Sequence, residues 1–329
     1  RRLDRGPARP GAAGAVIVGV AGLGLIGSSV ARGLLATHTV RGYDPDQTAR
    51  EAAGQWGVEP VDFVPDLAAC DVVVLAAPTG ANVDLLMTLM DGTPVPTVDL
   101  GSVKGPIVAV WQRHPSFPFV GTHPMAGSER AGCQASSPDL FRGSRWPVVV
   151  EPDTDPATLR LALDLIIELG AEAVPMSAAR HDQAVAAVSH LPHLQAGALG
   201  NVVAADSDPA LLALLAAGSF RDATRVSASP PDRTAEFVMA NAAAAAAAAR
   251  NAAAELVAAA DTLERGDTGA LSDWLQTAQV VPAEAIAQDR LELAVSGDDG
   301  LRELVLAERD SGLRILAVGP ATITVVAGD

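Results

Sequence analysis

Only two cysteines occur in 329 residues, Cys70 and Cys133, and they form no metal-binding or redox spacing. That argues against a disulfide-stapled scaffold and points to a reducing compartment. A chain of this length buries about 75% of its unfolded-state surface and needs no staple. Long apolar runs are also missing. Although 49% of the residues are hydrophobic, no stretch of about 18 lacks interspersed polar groups, so no membrane span is expected. Residues 1–14 carry arginines and two prolines without the apolar middle of a secretory signal, and read as a flexible leader. Positive charge is in deficit: 23 cations against 39 anions give a net charge of -16. Such a surface repels phosphate backbones and excludes nucleic acid as a partner. The expectation is a cytoplasmic protein acting on a small molecule.

What is present is a change of pattern near the middle. From Ala15 to about Met176, β-rich runs alternate with helix-like stretches. The runs are Ala15–Val20, Thr39–Tyr43, Val72–Ala77, Val95–Leu100, Phe117–Thr122, Pro147–Val150 and Ala171–Pro175, with a weaker one at Val58–Val61. Continuous apolar runs suit strands covered on both faces, and alternating βα units imply a doubly wound parallel sheet. After Ser177 the pattern is helical: Arg180–Ala205, Pro209–Leu215, Asp232–Arg265 and Leu271–Gln288. The eight alanines Ala242–Ala249 read as a helix buried at the centre of a bundle or dimer, because alanine is the best helix former and lets helices pack closely. Leu291–Ser296, Leu301–Asp310, Leu313–Ala317 and Ala321–Val326 suggest a short βαββ tail. The expected division is a leader over 1–14, a Rossmann domain over 15–177, a helical substrate and dimerisation domain over 178–290, and the tail over 291–329.

Gly22-Leu23-Gly24-Leu25-Ile26-Gly27 matches GxGxxG, after a strand-like run and at the start of a helix-like one. The first glycine permits the tight turn, the second admits the pyrophosphate, and the third lets helix and strand pack closely. Helix amides then face the phosphates. Asp44 follows the second strand, where a carboxylate takes the ribose hydroxyls of NAD and repels the extra phosphate of NADP; it also reads as a turn residue before Pro45. Arg41 and Arg50 stand nearby and could soften that preference. Ala77 and Pro78 end the fourth strand on the ligand side, with Thr79 read as a helix cap.

Two further strand ends carry polar residues, Asp99-Leu100-Gly101-Ser102-Val103-Lys104 and Gly121-Thr122-His123-Pro124-Met125-Ala126-Gly127-Ser128-Glu129. In a doubly wound sheet both lie on the cofactor side, which makes His123 a candidate for proton transfer. On the residues alone, Ser102 reads as a helix N-cap and Lys104 as an exposed helix start. Three clusters lie in the helical half: His181-Asp182, Ser189-His190-Leu191-Pro192-His193 and Phe220-Arg221-Asp222-Ala223-Thr224-Arg225. Three histidines within thirteen residues, without an HExxH pattern, do not argue for a metal. Pro192 is expected to bend or end a helix and so aim His190 and His193 at a cleft.

The stretches GLGLIGSS, DLGSVKGPI, HPMAGSERAG, HDQAVAAVSHLPH and FRDATR, in this order and spacing, resemble the prephenate/arogenate dehydrogenase family over roughly Val16 to Ala260. The last two motifs are more specific than the glycine loop. The resemblance implies a nicotinamide-binding domain joined to a helical domain that supports a homodimer, with the active site between them. It implies oxidative decarboxylation of prephenate with NAD in tyrosine biosynthesis, arogenate being the alternative substrate.

By that resemblance His123 accepts the hydroxyl hydrogen bond, Ser102 orients it, and Arg225 grips a substrate carboxylate or makes an interdomain salt bridge. His193 lies on the substrate side, and Ser128 and Lys104 contact or steer the substrate. Glu129 and Asp222 pair with the arginine and regulate access, or else are solvated or capping residues, while His190 packs or stands behind the site with Asp182. One departure is that the stretch after FRDATR, Ser229 to Thr234, lacks the tryptophan some members carry, which removes an aromatic wall from that loop. Two other classes fit the residues less well. Related 3-hydroxyacid dehydrogenases rely on a lysine in the helical half, and none occurs between Arg180 and Asp310. A non-catalytic nicotinamide-binding module would not need His123, Ser102 and Arg225.

Overall fold

The computed structural model describes residues 15–127, 132–277, 279 and 290–327. The chain forms two compact units. One joins everything up to His181 to the residues from 287 onward; the other spans 182–286.

The first unit begins with alternating elements: β1 (Ile17–Ala21), α1 (Leu25–Leu34), β2 (Thr39–Tyr43), α2 (Gln47–Gly54), β3 (Glu59–Pro60), β4 (Val72–Leu75), α3 (Thr79–Met90), β5 (Thr97–Asp99), α4 (Gly105–Trp111) and β6 (Phe119–Gly121). The strands pair in the order β3-β2-β1-β4-β5-β6, and every pair is parallel. This is the doubly wound sheet expected from the βα alternation. All four residues of β4, Val-Val-Val-Leu, are buried, as a central strand covered on both faces requires. Two apolar cores flank the sheet, one built on Val18, Val20, Leu34 and Val72, the other on Ala21, Leu75, Leu86 and Trp111.

The two later β-runs depart from a single sheet. They form β7 (Arg145–Val149) and β8 (Glu172–Met176), parallel to each other and joined by α5 (Pro156–Glu168). Asp155 caps α5, accepting from the Thr158 N–H at 2.8 Å, with Pro156 at the first helical position where no N–H is needed. Beyond α5 and β8 the chain enters α6 (Ala178–Val185), and the division between the units falls inside that helix.

A π-helical turn, Ala186–His190, leads into α7 (Leu191–Ala204). Pro192 was expected to bend or end the helix, yet the helix continues through it. Proline has no N–H and clashes with the carbonyl four residues back, and a wider turn accommodates both defects. The unit continues through α8 (Pro209–Leu215), α9 (Gly218–Thr224), α10 (Pro231–Ala240), α11 (Ala242–Glu264) and α12 (Thr268–Thr277). The alanine run lies on α11, but within this chain only Ala245 of that helix is buried; the run is not the centre of an intrachain bundle.

The chain then returns to the first unit as β9 (Arg290–Ala294), α13 (Gly297–Ala307), β10 (Arg314–Val318) and β11 (Thr322–Val326). These strands extend β7 and β8 into a second sheet, β7-β8-β10-β11-β9. Leu301, Val305, Ile315, Ile323 and Val325 are at most 1% exposed and share one core with β1. At about 1.5–3 kcal/mol for each fully buried aliphatic side chain, the tail is an integral part of its unit.

Candidate active site

The glycine loop meets the steric demands of a phosphate cradle. Gly22 has φ +100°, and a Cβ there would lie 2.7 Å from the Ala76 carbonyl carbon. A Cβ on Gly27 would lie 1.8 Å from the Gly22 oxygen, so helix and strand touch there. Gly24, between them, meets nothing within 4 Å. The two outer glycines are demanded by packing, and the middle one opens on space that a side chain would fill. Beside it, the amides of Leu25, Ile26 and Gly27 open α1 without intrahelical acceptors. The Leu23 and Leu25 side chains are buried, so this loop presents backbone to a ligand.

Asp44 is a turn residue, as one of its two readings had it. One carboxylate oxygen accepts from the Leu23 N–H at 2.7 Å, the other from the Asp46 N–H at 2.9 Å. The carboxylate thus ties the glycine loop to the end of β2, and each oxygen keeps a second lone pair for a ribose hydroxyl. Arg50 donates to the Asp44 carbonyl, and Arg41 pairs with Glu59 at 3.3 Å. At the end of β4, the Ala77 N–H is already donated to Asn82 Oδ1 at 2.9 Å. Thr79 does not cap α3: Pro78 holds the cap position, and the buried Thr79 hydroxyl has no hydrogen-bond partner. That orphaned hydroxyl lies beside Gly101, at the edge where a cofactor would end.

A buried polar network ties β4, β5 and β6 together. Asp99 is fully buried; its Oδ1 accepts from Asn82 Nδ2 at 2.7 Å and from the Gly101 N–H at 3.0 Å. Lys104, the only lysine in the chain, pairs with the other Asp99 oxygen and donates to the Thr122 carbonyl at 2.7 Å. The reading of Lys104 as an exposed helix start is corrected: it is 0% exposed. Burying one charge without the other is costly, so the pair is built as a unit. Thr122 donates its N–H and hydroxyl to the Asp99 carbonyl and accepts from Trp146 Nε1. Ser102 follows directly on this network. It is not the N-cap of α4, because Lys104 holds that position and no side chain caps it.

His123 leaves β6 just beyond Thr122. Its N–H donates to the Pro147 carbonyl at 3.0 Å, and its half-buried ring meets His181 of α6. The two ring nitrogens, His123 Nδ1 and His181 Nε2, lie 3.0 Å apart, with the rings edge to face at 64°. Sequence reasoning noticed His181 but assigned it nothing. The HD dipeptide was the signal, and partnership across 58 positions cannot be read from spacing. Asn82 and Asp99 were missed for the same reason.

The second unit carries the remaining candidates. His193 Nδ1 lies 2.9 Å from the Ser189 carbonyl, so that nitrogen holds the proton. Phe237 of α10 packs against both His190 and His193, with ring centroids 5.2 Å away in each case. His190 is buried and faces Asn241 Nδ2 at 3.4 Å; the same amide donates to the Asp182 carbonyl at 2.8 Å. Asp222 and Arg225 are exposed on this unit, and the Arg225 N–H donates to the Asp222 carbonyl. Ser128 and Glu129 lie outside the described residues. Among the described residues, no cluster of three or more histidine, cysteine or acidic side chains could hold a metal, and no helix is long and apolar enough to cross a membrane.

A parallel 3-2-1-4-5-6 sheet with this glycine cradle, in a chain that also carries a helical unit, defines the dinucleotide-binding class. Comparison with known proteins narrows the class. The family description "Prephenate dehydrogenase, nucleotide-binding domain" matches residues 30–175, and "Prephenate dehydrogenase, dimerization domain" matches 177–277. The chain is 34% identical over 252 residues to the cyclohexadienyl dehydrogenase of Zymomonas mobilis, covering 73% of this chain and 85% of that one. It spans 60% and 63% of the length of two other curated relatives, both called prephenate dehydrogenase.

Among solved structures, prephenate dehydrogenase from A. aeolicus in complex with hydroxyphenyl propionate and NAD+ superposes with a TM-score of 0.74 at 25% identity, covering 79% of this chain and 95% of that one. Synechocystis arogenate dehydrogenase does so at 0.70 and 28%, covering 79% and 96%. The chain belongs to the prephenate dehydrogenase family.

Proposed function

We propose that this chain converts prephenate to 4-hydroxyphenylpyruvate by oxidative decarboxylation with NAD, a step toward tyrosine. The observation that carries this reading is His123, an imidazole at the carboxyl end of β6, on the sheet edge where the glycine loop leaves an open cradle. NAD, when bound, supplies the hydride acceptor. The Leu25–Gly27 amides would hold its pyrophosphate and the remaining lone pairs of Asp44 its ribose hydroxyls, which favours NAD over NADP. The Ala77 carbonyl and Pro78 would line the nicotinamide end.

The substrate is a cyclohexadienol whose ring carboxylate leaves as carbon dioxide. His123 Nε2 accepts the hydroxyl proton as the carbinol carbon loses hydride, and returns it to the phenol oxygen once carbon dioxide has left. A positioned base of this kind contributes about 10²–10⁴-fold in rate. Ser102 orients the hydroxyl. Arg225 grips a carboxylate, with His193 and Ser128 beside the substrate and Glu129 and Asp222 controlling access to the arginine. Lys104 is left out of substrate contact, because Asp99 neutralises it in the interior. The protein works as a homodimer: the dimerisation-domain match covers the helical unit, where Leu214, Val202, Met239 and Leu256 are exposed on the single chain.

Arogenate as substrate is a second reading, favoured by the likeness to Synechocystis arogenate dehydrogenase. NADH formation with prephenate and arogenate, each with NAD and NADP, decides between them. The expected order is prephenate above arogenate and NAD above NADP, from a species sedimenting at twice the 33.5 kDa chain mass. Binding of NAD with no NADH from either substrate would reduce the chain to a nicotinamide-binding module.

A further inference from the structure

His181 is fully buried, and the chemistry above gives it no work. Its Nε2 nevertheless lies 3.0 Å from Nδ1 of His123. Two imidazole nitrogens at this distance share one proton, and the accepting ring must be neutral, since an imidazolium has two donors and no acceptor. The direction of the bond follows from the other nitrogen of His123. If Nε2 is bare and ready for the hydroxyl proton, the neutral ring carries its own proton on Nδ1. That proton is then donated to His181 Nε2.

We propose that His181 is a positioning residue for the reaction: it accepts from His123 Nδ1–H, fixing the tautomer that leaves Nε2 basic. The proposal rests on the reading of His123 as the proton acceptor. When the substrate O–H bond breaks and the Nε2–H bond forms, His123 becomes an imidazolium and its hydrogen bond to His181 becomes charge-assisted and stronger. No proton passes to His181, and the Nε2 proton later returns to the phenol oxygen. Unlike a carboxylate, a neutral imidazole orients the ring without adding a negative charge beside it.

Both rings are mounted on anchored backbone, which makes the pairing a built feature. The His123 N–H is bonded to β7, as described. The His181 N–H donates to the Ser177 carbonyl at 2.9 Å. Ser177 in turn donates its N–H and its hydroxyl to the two carboxylate oxygens of Asp310, each at 2.9 Å, and the Ala178 N–H donates to Glu151 at 3.1 Å. The first turn of α6 is therefore held from two directions.

The test compares His181→Leu with His181→Gln, whose amide oxygen can accept near the former Nε2. Leucine should lower kcat at least about ten- to hundredfold, the range seen for orienting partners of metal-bound histidines, with substrate KM and NAD Kd within about twofold; glutamine should restore most of the loss. Equal kcat in the two variants, or a loss confined to KM, overturns the proposal. Should leucine prevent folding, ¹⁵N spectra of the unaltered protein decide. The ring signals that vanish in His123→Asn should report Nδ1–H with a bare Nε2, and Nε2–H would refute the assignment. Failure of the underlying reading looks different: the unaltered protein would then make no NADH from either substrate.

Discussion

Asp164 lies on α5, one turn beyond Arg160 and within range of Asp298 and Glu168. Burial raises its pKa from 3.8 to about 6; Arg160 pulls it down, and the two other carboxylates push it up. The folded state therefore holds this proton where the unfolded chain has released it. The stability it contributes is full below pH 3.8, falls as pH rises, and is gone above about 6. Asp164→Asn should be more stable than the parent at neutral pH by about 1–2 kcal/mol, after discounting for partial solvation. Urea unfolding across the pH range should show the gain growing from about pH 4 and levelling near 6.5; a difference that stays flat with pH would refute it.

Other single residues were legible where chemistry is local. The three glycines and Asp44 announce a turn and an open loop because each feature depends on near neighbours in the chain. Lys104 was misjudged because its partners, Asp99 and the Thr122 carbonyl, meet only when β5 and β6 pair.

At the scale of elements, the tail is the instructive case. Its βαββ pattern is visible in the sequence, but its docking on β8 is not, since strand pairing between distant segments leaves no local trace. The turn before β10 carries Asp310 at φ 68°, a left-handed conformation that aspartate tolerates better than most residues. Its carboxylate accepts from the N–H and the hydroxyl of Ser177, whose Oγ in turn takes the Arg180 N–H at the start of α6. Replacing Asp310 with alanine should cost about 1–2 kcal/mol, because hydrogen bonds to a charged acceptor are lost and alanine tolerates the left-handed backbone poorly, and asparagine should cost clearly less. Denaturant midpoints check this, and an alanine variant as stable as the parent would mean that these hydrogen bonds contribute nothing. The alanine run shows the opposite limit. Composition identifies the helix but not what covers it, and α11 remains largely exposed on the single chain.

At the scale of the whole molecule, the proposed reaction needs two side chains that the sequence motifs indicate, His123 as proton acceptor and Arg225 as carboxylate grip. Steady-state kinetics with prephenate in His123→Asn and Arg225→Ala tests that claim most directly. The account predicts a turnover loss of about 10²–10⁴-fold in the first, with NAD affinity unchanged. In the second, KM should rise about ten- to hundredfold, as expected for losing a charge-assisted grip of ~1.5–3 kcal/mol, while kcat changes little. Full turnover without the imidazole, or an unchanged KM without the guanidinium, would contradict it.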